Sequence, residues 1–245
     1  MDDSTKEALA YGAKALENVT DILNKLAGPL AEEVGLTLGD RAREYRIKNA
    51  VKIFARVKKM LAQAGIQPTS IPPRLFLPAI DAATVEAEET LQERWAALLA
   101  NASDPERRNT VLPSYVEVLK QLTPEESLVL DRVHDQVTVN GSHQPTITER
   151  GILIGTSETL FQWALPSYSG WEFEEAWKAF VLLIDDLIRL GIISRADNQD
   201  DDPFSAYKYS GNVVKLGPPS VTIEYVITPF GHAFLSACHK PIRRE

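Results

Sequence analysis

The side chains able to do chemistry are few and scattered. Four histidines occur, His134, His143, His232 and His239, and no two stand four residues apart, the spacing that lets one helix face offer two imidazoles to a metal. Cys238-His239, with His232 seven residues before, is the one local cluster, and it reads as a buried thiol beside exposed imidazoles. A phosphate cradle needs a glycine-rich turn ending in Gly-Lys-Ser/Thr, whereas Gly151-Ile152-Leu153-Ile154-Gly155-Thr156-Ser157 has no lysine. A nucleophile elbow needs Gly-x-Ser-x-Gly, and Gly155-Thr156-Ser157-Glu158-Thr159 fails at its last position. Asp185 and Asp186 are adjacent, about 100° apart on a helix, so they read as its polar face rather than as a catalytic pair. Asp200, Asp201 and Asp202 lack the ligand spacing of a calcium loop. No catalytic residue, metal site, cofactor or small-molecule substrate is identified, and the chain is not expected to be an enzyme.

The constellation with a chemical use is basic. Arg41, Lys48, Lys52, Arg56 and Lys59 follow one another at i, i+7, i+11, i+15 and i+18. At about 100° per residue they fall within about 80° of one another, a narrow stripe on a helix. Ala50, Ile53, Phe54, Val57 and Leu61 lie across the helix from it. Such a stripe can meet phosphates of nucleic acid or of anionic lipid, or can be a solvated face paired with acidic side chains elsewhere.

The elements that must position these groups are mostly helices. A first is expected over 5–26, ended by Gly28-Pro29, then a short glycine-dotted segment over 30–39. Residues 40–64 run from an Asp40 cap to Gly65. A helix over about 73–84 carries Pro78 as a kink or break. Over 86–102, Leu91, Trp95, Leu98 and Leu99 make a single apolar stripe, and a short helix covers 113–121. Thr123-Pro124-Glu125-Glu126 is a dense start signal, with Glu126 where a capping box needs it. Weaker helical segments are expected over 147–165.

The strongest periodicity is over 171–190, where Phe173, Trp177, Phe180, Val181, Ile184, Leu187 and Ile188 hold one face and Gly191 ends the helix. Phe161, Tyr168, Trp171 and Trp177 are expected in the core. Short strands are expected at 192–195, 212–216 and 221–227, around an acidic loop at 197–203, before a last helix to about 239. That order is the order of a winged-helix unit. The expected fold is mainly α: an N-terminal helical bundle over 1–122, then a smaller winged-helix-like α+β unit over 123–245.

Three stretches carry a resemblance: 27–54 (AGPLAEEVGLTLGDRAREYRIKNAVKIF), 71–105 (IPPRLFLPAIDAATVEAEETLQERWAALLANASDP) and 111–126 (VLPSYVEVLKQLTPEE). In order, spacing and wording they resemble the abortive-infection alpha family of bacterial phage-defence proteins, over about residues 20–130. The resemblance implies a protein of abortive infection, in which an infected cell stops growing or dies before phage mature. It carries over no catalytic residue.

Charge narrows the partners. The chain is −8 overall, but residues 1–122 hold 16 basic and 17 acidic side chains, while residues 123–245 hold 10 and 17. The expected partner is a protein, or a second copy of the chain. Nucleic acid is disfavoured, since its binding draws on a basic surplus. A membrane surface stays open as an alternative. One cysteine fits a reducing cytosol, and the acidic start MDDSTKEALA lacks the form of a signal peptide. The longest stretch free of charged side chains, 225–239, contains Pro229 and is shorter than the roughly 20 residues of a bilayer span. A cytoplasmic protein is expected.

Overall fold

Helix α1 (Asp40–Ala64) forms because its apolar residues recur on one side: Ile53, Phe54, Val57 and Leu61 are buried, while Lys48, Lys52 and Lys59 opposite them are exposed. Gly65 closes the helix, with its N–H donating to Ala62 and the Ile66 N–H donating to Leu61, a pairing that satisfies the last carbonyls. The computed structural model describes residues 22, 25, 26, 40–107, 109–139, 146–196 and 223–241, and of residues 40–44 the backbone alone. Most of the expected first helix, the 30–39 segment, the acidic loop, the 212–216 strand and His143 lie outside the described residues.

The chain forms two compact units, residues 1–121 with 236–245, and residues 122–235. In the first, α1 packs on α2 (Pro73–Ala83) and α3 (Glu89–Ser103), and both α2 and α3 pack on α4 (Pro113–Leu119). Pro78 does not break α2, which continues five residues beyond it. The single stripe expected for α3 is corrected: from Leu91 to Ser103 every residue but Glu93 is buried. Alanines at 96, 97, 100 and 102 let neighbours close on all sides, and the polar residues that this encloses find partners.

The second unit begins with α5 (Pro124–Val139), and its start is a reciprocal capping box. The Thr123 N–H donates to a Glu126 carboxylate oxygen at 2.7 Å, and the Glu126 N–H donates to Thr123 Oγ1 at 3.2 Å. Then come β1 (Ile147–Thr148), β2 (Gly151–Thr156), α6 (Ser157–Ala164), a 3-10 turn (Leu165–Tyr168), α7 (Phe173–Arg189), β3 (Ile193–Arg195), β4 (Glu224–Ile227) and α8 (Pro229–Cys238). The sheet is antiparallel and open, in the order β1-β2-β4-β3, with Ile152 opposite Ile227 and Ile193 opposite Ile227 on its other side.

Helix was expected throughout 147–165, and the structure corrects this to two strands followed by helix only from Ser157. Glycines at both ends of Gly151–Gly155 cost a helix about 1 kcal/mol each, the two isoleucines favour strand, and β4 supplies the missing ladder. The chain bulges between Leu153 and Gly155.

Gly191 (φ 73°) ends α7 as Gly65 ends α1, and Thr228 then ties the turn to α8. Its hydroxyl donates to Gly191 O at 2.6 Å and accepts from the Gly231 N–H at 2.9 Å, capping α8. Gly231 rests on the Ile192 carbonyl, so closely that an added Cβ would collide with it.

Candidate functional site

Helix α1 brings the basic residues to one side as far as the described residues go. Lys48, Lys52 and Lys59 are exposed, and Arg41 lies in the helix with its side chain outside the described residues. Arg56 departs from the stripe. It is half-buried, donates to Gln92 Oε1 at 2.8 Å and lies 3.7 Å from the Glu89 carboxylate. It belongs to a seam joining α1 to the turn before α3, where Asn49 Nδ2 donates to the Thr84 and Glu86 carbonyls and Gln92 Nε2 donates to Glu86 O. Periodicity could place Arg56 on a face but could not show that Gln92 reaches it. Residues 45–80 hold seven basic and no acidic side chains, and on the α1 face the lysines are joined by exposed Tyr45.

Also in the first unit, Asn101, fully buried, donates from Nδ2 to the carbonyls of Ala97, Ala237 and His239 at 2.9–3.0 Å and accepts from Arg107 at 2.9 Å. The Ala237 and His239 carbonyls at the end of α8 thus take a donor from the last turn of α3. Cys238 is buried, and burial pushes its thiol up to about 12 against the pull of Arg94, so the thiolate is scarce at neutral pH. His232 is exposed and His239 half-buried. Among the described residues no group of His, Cys, Asp or Glu could hold a metal ion.

In the second unit, Asp186 is not simply polar helix surface. It accepts from Arg189 Nε at 2.7 Å and shares a hydrogen bond with the Glu126 carboxyl. Burial, with the nearby Asp186 charge, raises Glu126 to about 7, although its bonds to Thr123 pull the other way. Burial and the charges of Glu125 and Glu126 raise Tyr168. The capping box pointed to Glu126, whereas no spacing in the sequence pairs it with Asp186, sixty residues on.

The aromatic residues divide. Phe161, Tyr168 and Trp177 are buried, with Phe161 edge-on to Trp177 at 4.9 Å and to Phe180 at 5.2 Å. Trp171 and Phe173 are corrections to the expected core, 54% and 51% exposed: each touches the core by one side only, Trp171 against Tyr168 and Phe173 against Phe161 and Trp177. The whole run Trp171-Glu172-Phe173-Glu174-Glu175 is exposed. Across the units the charge is uneven: the first holds 19 basic and 18 acidic side chains, net +1, and the second 7 and 16, net −9.

One helical unit with a lysine-lined helix face and one small α+β unit with an open four-stranded sheet define the class of protein. Within that class the chain belongs to the abortive infection alpha family of phage-defence proteins, whose family model matches residues 42–238. The match extends through the second unit, where the resemblance of the sequence was least distinct, and begins after residues 27–41. No curated protein and no solved structure matches the chain. Among the described residues no helix is long and apolar enough to cross a membrane.

Proposed function

We propose that this chain serves abortive infection without catalysis, through protein contacts made by its second unit. The observation that carries the reading is the exposed Trp171–Glu175 run on a unit of net −9. Exposed aromatics among charges are the material of protein interfaces, and a strongly negative unit repels a phosphate backbone. Three titratable groups of the chain are engaged in its own structure: Cys238 by burial, Glu126 by the cap, Asp186 by Arg189.

The second unit is read further as a winged helix. Apart from the two-residue β1 at the sheet edge, the order α5, β2, α6, α7, β3, β4, with β4 between β2 and β3, supports that reading and gives α7 the position of a recognition helix. Four acidic and two basic side chains on α7, together with Leu182 at 65% exposure, favour a protein over DNA as what it meets. The α1 stripe (Arg41, Lys48, Lys52, Arg56, Lys59) is a second candidate surface, for an anionic partner.

Plaque counts on cells expressing the chain test the reading. Wild type is expected to lower the count, and Trp171→Ala with Leu182→Glu, folded by circular dichroism, to restore it. Full protection by the folded double variant would sink the contact reading. A shift of duplex DNA by the purified chain at about 0.15 M salt would replace it with a winged-helix transcriptional regulator that binds DNA, and co-sedimentation with anionic vesicles would replace it with a toxin acting at the membrane surface.

A further inference from the structure

Two exposed surfaces of this chain complement each other. One is Trp171-Glu172-Phe173-Glu174-Glu175, five consecutive exposed residues in which two aromatic rings alternate with carboxylates. The other is the α1 face, with exposed Lys48, Lys52 and Lys59 and exposed Tyr45. Lys48 and Lys59 are eleven residues apart, about 16 Å along the helix. Ammonium groups are drawn both to carboxylates and to the faces of aromatic rings, so a lysine row is a fitting occupant for this run. The apolar side of α1 is already spent on its own core through Ile53, Phe54 and Val57. A contact through α1 must therefore use the lysine face, which leaves its helical unit folded.

We infer that the Trp171–Glu175 run of one copy docks on the lysine face of α1 in a second copy. The inference rests on the protein-contact reading above and names the partner as the chain itself. Because the two surfaces differ, the contact is heterologous, and each added copy leaves one unused surface of each kind. Assembly then proceeds head to tail, closing into a ring or continuing as a filament. Charge contacts of this kind govern encounter rate and salt sensitivity, so the assembly dissolves readily.

Light scattering on the purified full chain, from about 1 µM to about 1 mM, reads the outcome. At about 0.1 M salt the mass is expected to climb with concentration, and at about 1 M, where the screening length falls from about 10 Å to about 3 Å, to approach that of one chain. Lys48→Glu/Lys52→Glu/Lys59→Glu should remain single, and so should Glu172→Lys/Glu175→Lys, which spares the Glu174–Lys178 ion pair. Mixing the two variants should restore assembly, since each then meets its opposite charge. That rescue cannot come from misfolded chains. A single-chain mass for wild type at every concentration, variants that assemble alone, or a mixture that stays single would each overturn the inference. If wild type stays single while plaque counts still respond to Trp171→Ala with Leu182→Glu, the second-copy partner fails and the protein-contact reading stands.

Discussion

Glu126 and Asp186 share a hydrogen bond between their carboxyl groups, joining the first turn of α5 to the last turns of α7. Glu126 is 2% exposed and titrates at about 7 instead of 4.5, chiefly because burial disfavours its charge. It binds its proton more tightly folded than unfolded. The stability it lends is whole below pH 4.5 and is lost as pH rises through about 7. Glu126→Gln keeps an acceptor for Thr123 and a donor for Asp186 without a charge to bury. The variant should lose this part of the pH dependence, and at pH 8 should equal or exceed wild type by on the order of 1–3 kcal/mol. Urea denaturation of both proteins between about pH 5 and about pH 8 measures it; parallel profiles would refute the shared proton.

Trp95 and Trp177 are 1% and 2% exposed, one in each unit. Truncation of either to alanine should cost roughly 3–5 kcal/mol. Trp171→Ala, at an exposed position, should cost about 0.5 kcal/mol or less. Thermal melts rank the three, and an unchanged midpoint for Trp95→Ala or Trp177→Ala would remove it from the core.

Asn101→Leu keeps bulk and removes the amide that donates to the Ala237 and His239 carbonyls. Each buried carbonyl left unpaired costs about 1–3 kcal/mol. The expected sign is faster amide exchange over 234–239 together with lower stability. Retained protection there would mean that those carbonyls find other donors.

Arg56 and Lys52 separate structure from surface on the same helix. Arg56→Gln loses its bond to Gln92 and its ion pair with Glu89, and should cost about 1 kcal/mol. Lys52→Gln should change stability by about 0.5 kcal/mol or less. Equal effects in denaturant melts would put Arg56 back among the solvated cations.

Much of this architecture was legible because local rules and tertiary contacts agree. The Thr123–Glu126 capping box, the Gly65 and Gly191 terminators and the apolar face of α7 are readable from short spacings, and each stands in the structure. Misreadings fall where a distant partner decides. Gly151–Thr156 is a strand because β4 pairs with it, seventy residues on, and α3 is enclosed because several helices close around its alanines. The candidate surfaces were half legible. Lysine spacing marked the α1 face, but Arg56 is drawn from it by Gln92. Trp171 and Phe173 looked like core by residue type, since nothing local says that the rings they lean on cover one side of each and leave the other exposed.

Helix α8 begins in the second unit and ends in the first, whose membership resumes at Ser236. Seen from the ribosome, the earliest-made unit is the last to be finished. α1 to α4 emerge long before Ala237 and His239 exist to receive the Asn101 amide. Until then that amide and the α3 positions around it wait without their final cover, and a nascent chain stalled before residue 236 carries an incomplete first unit however much of the second has been made. Completion of the first unit is thereby tied to translation reaching the end of α8.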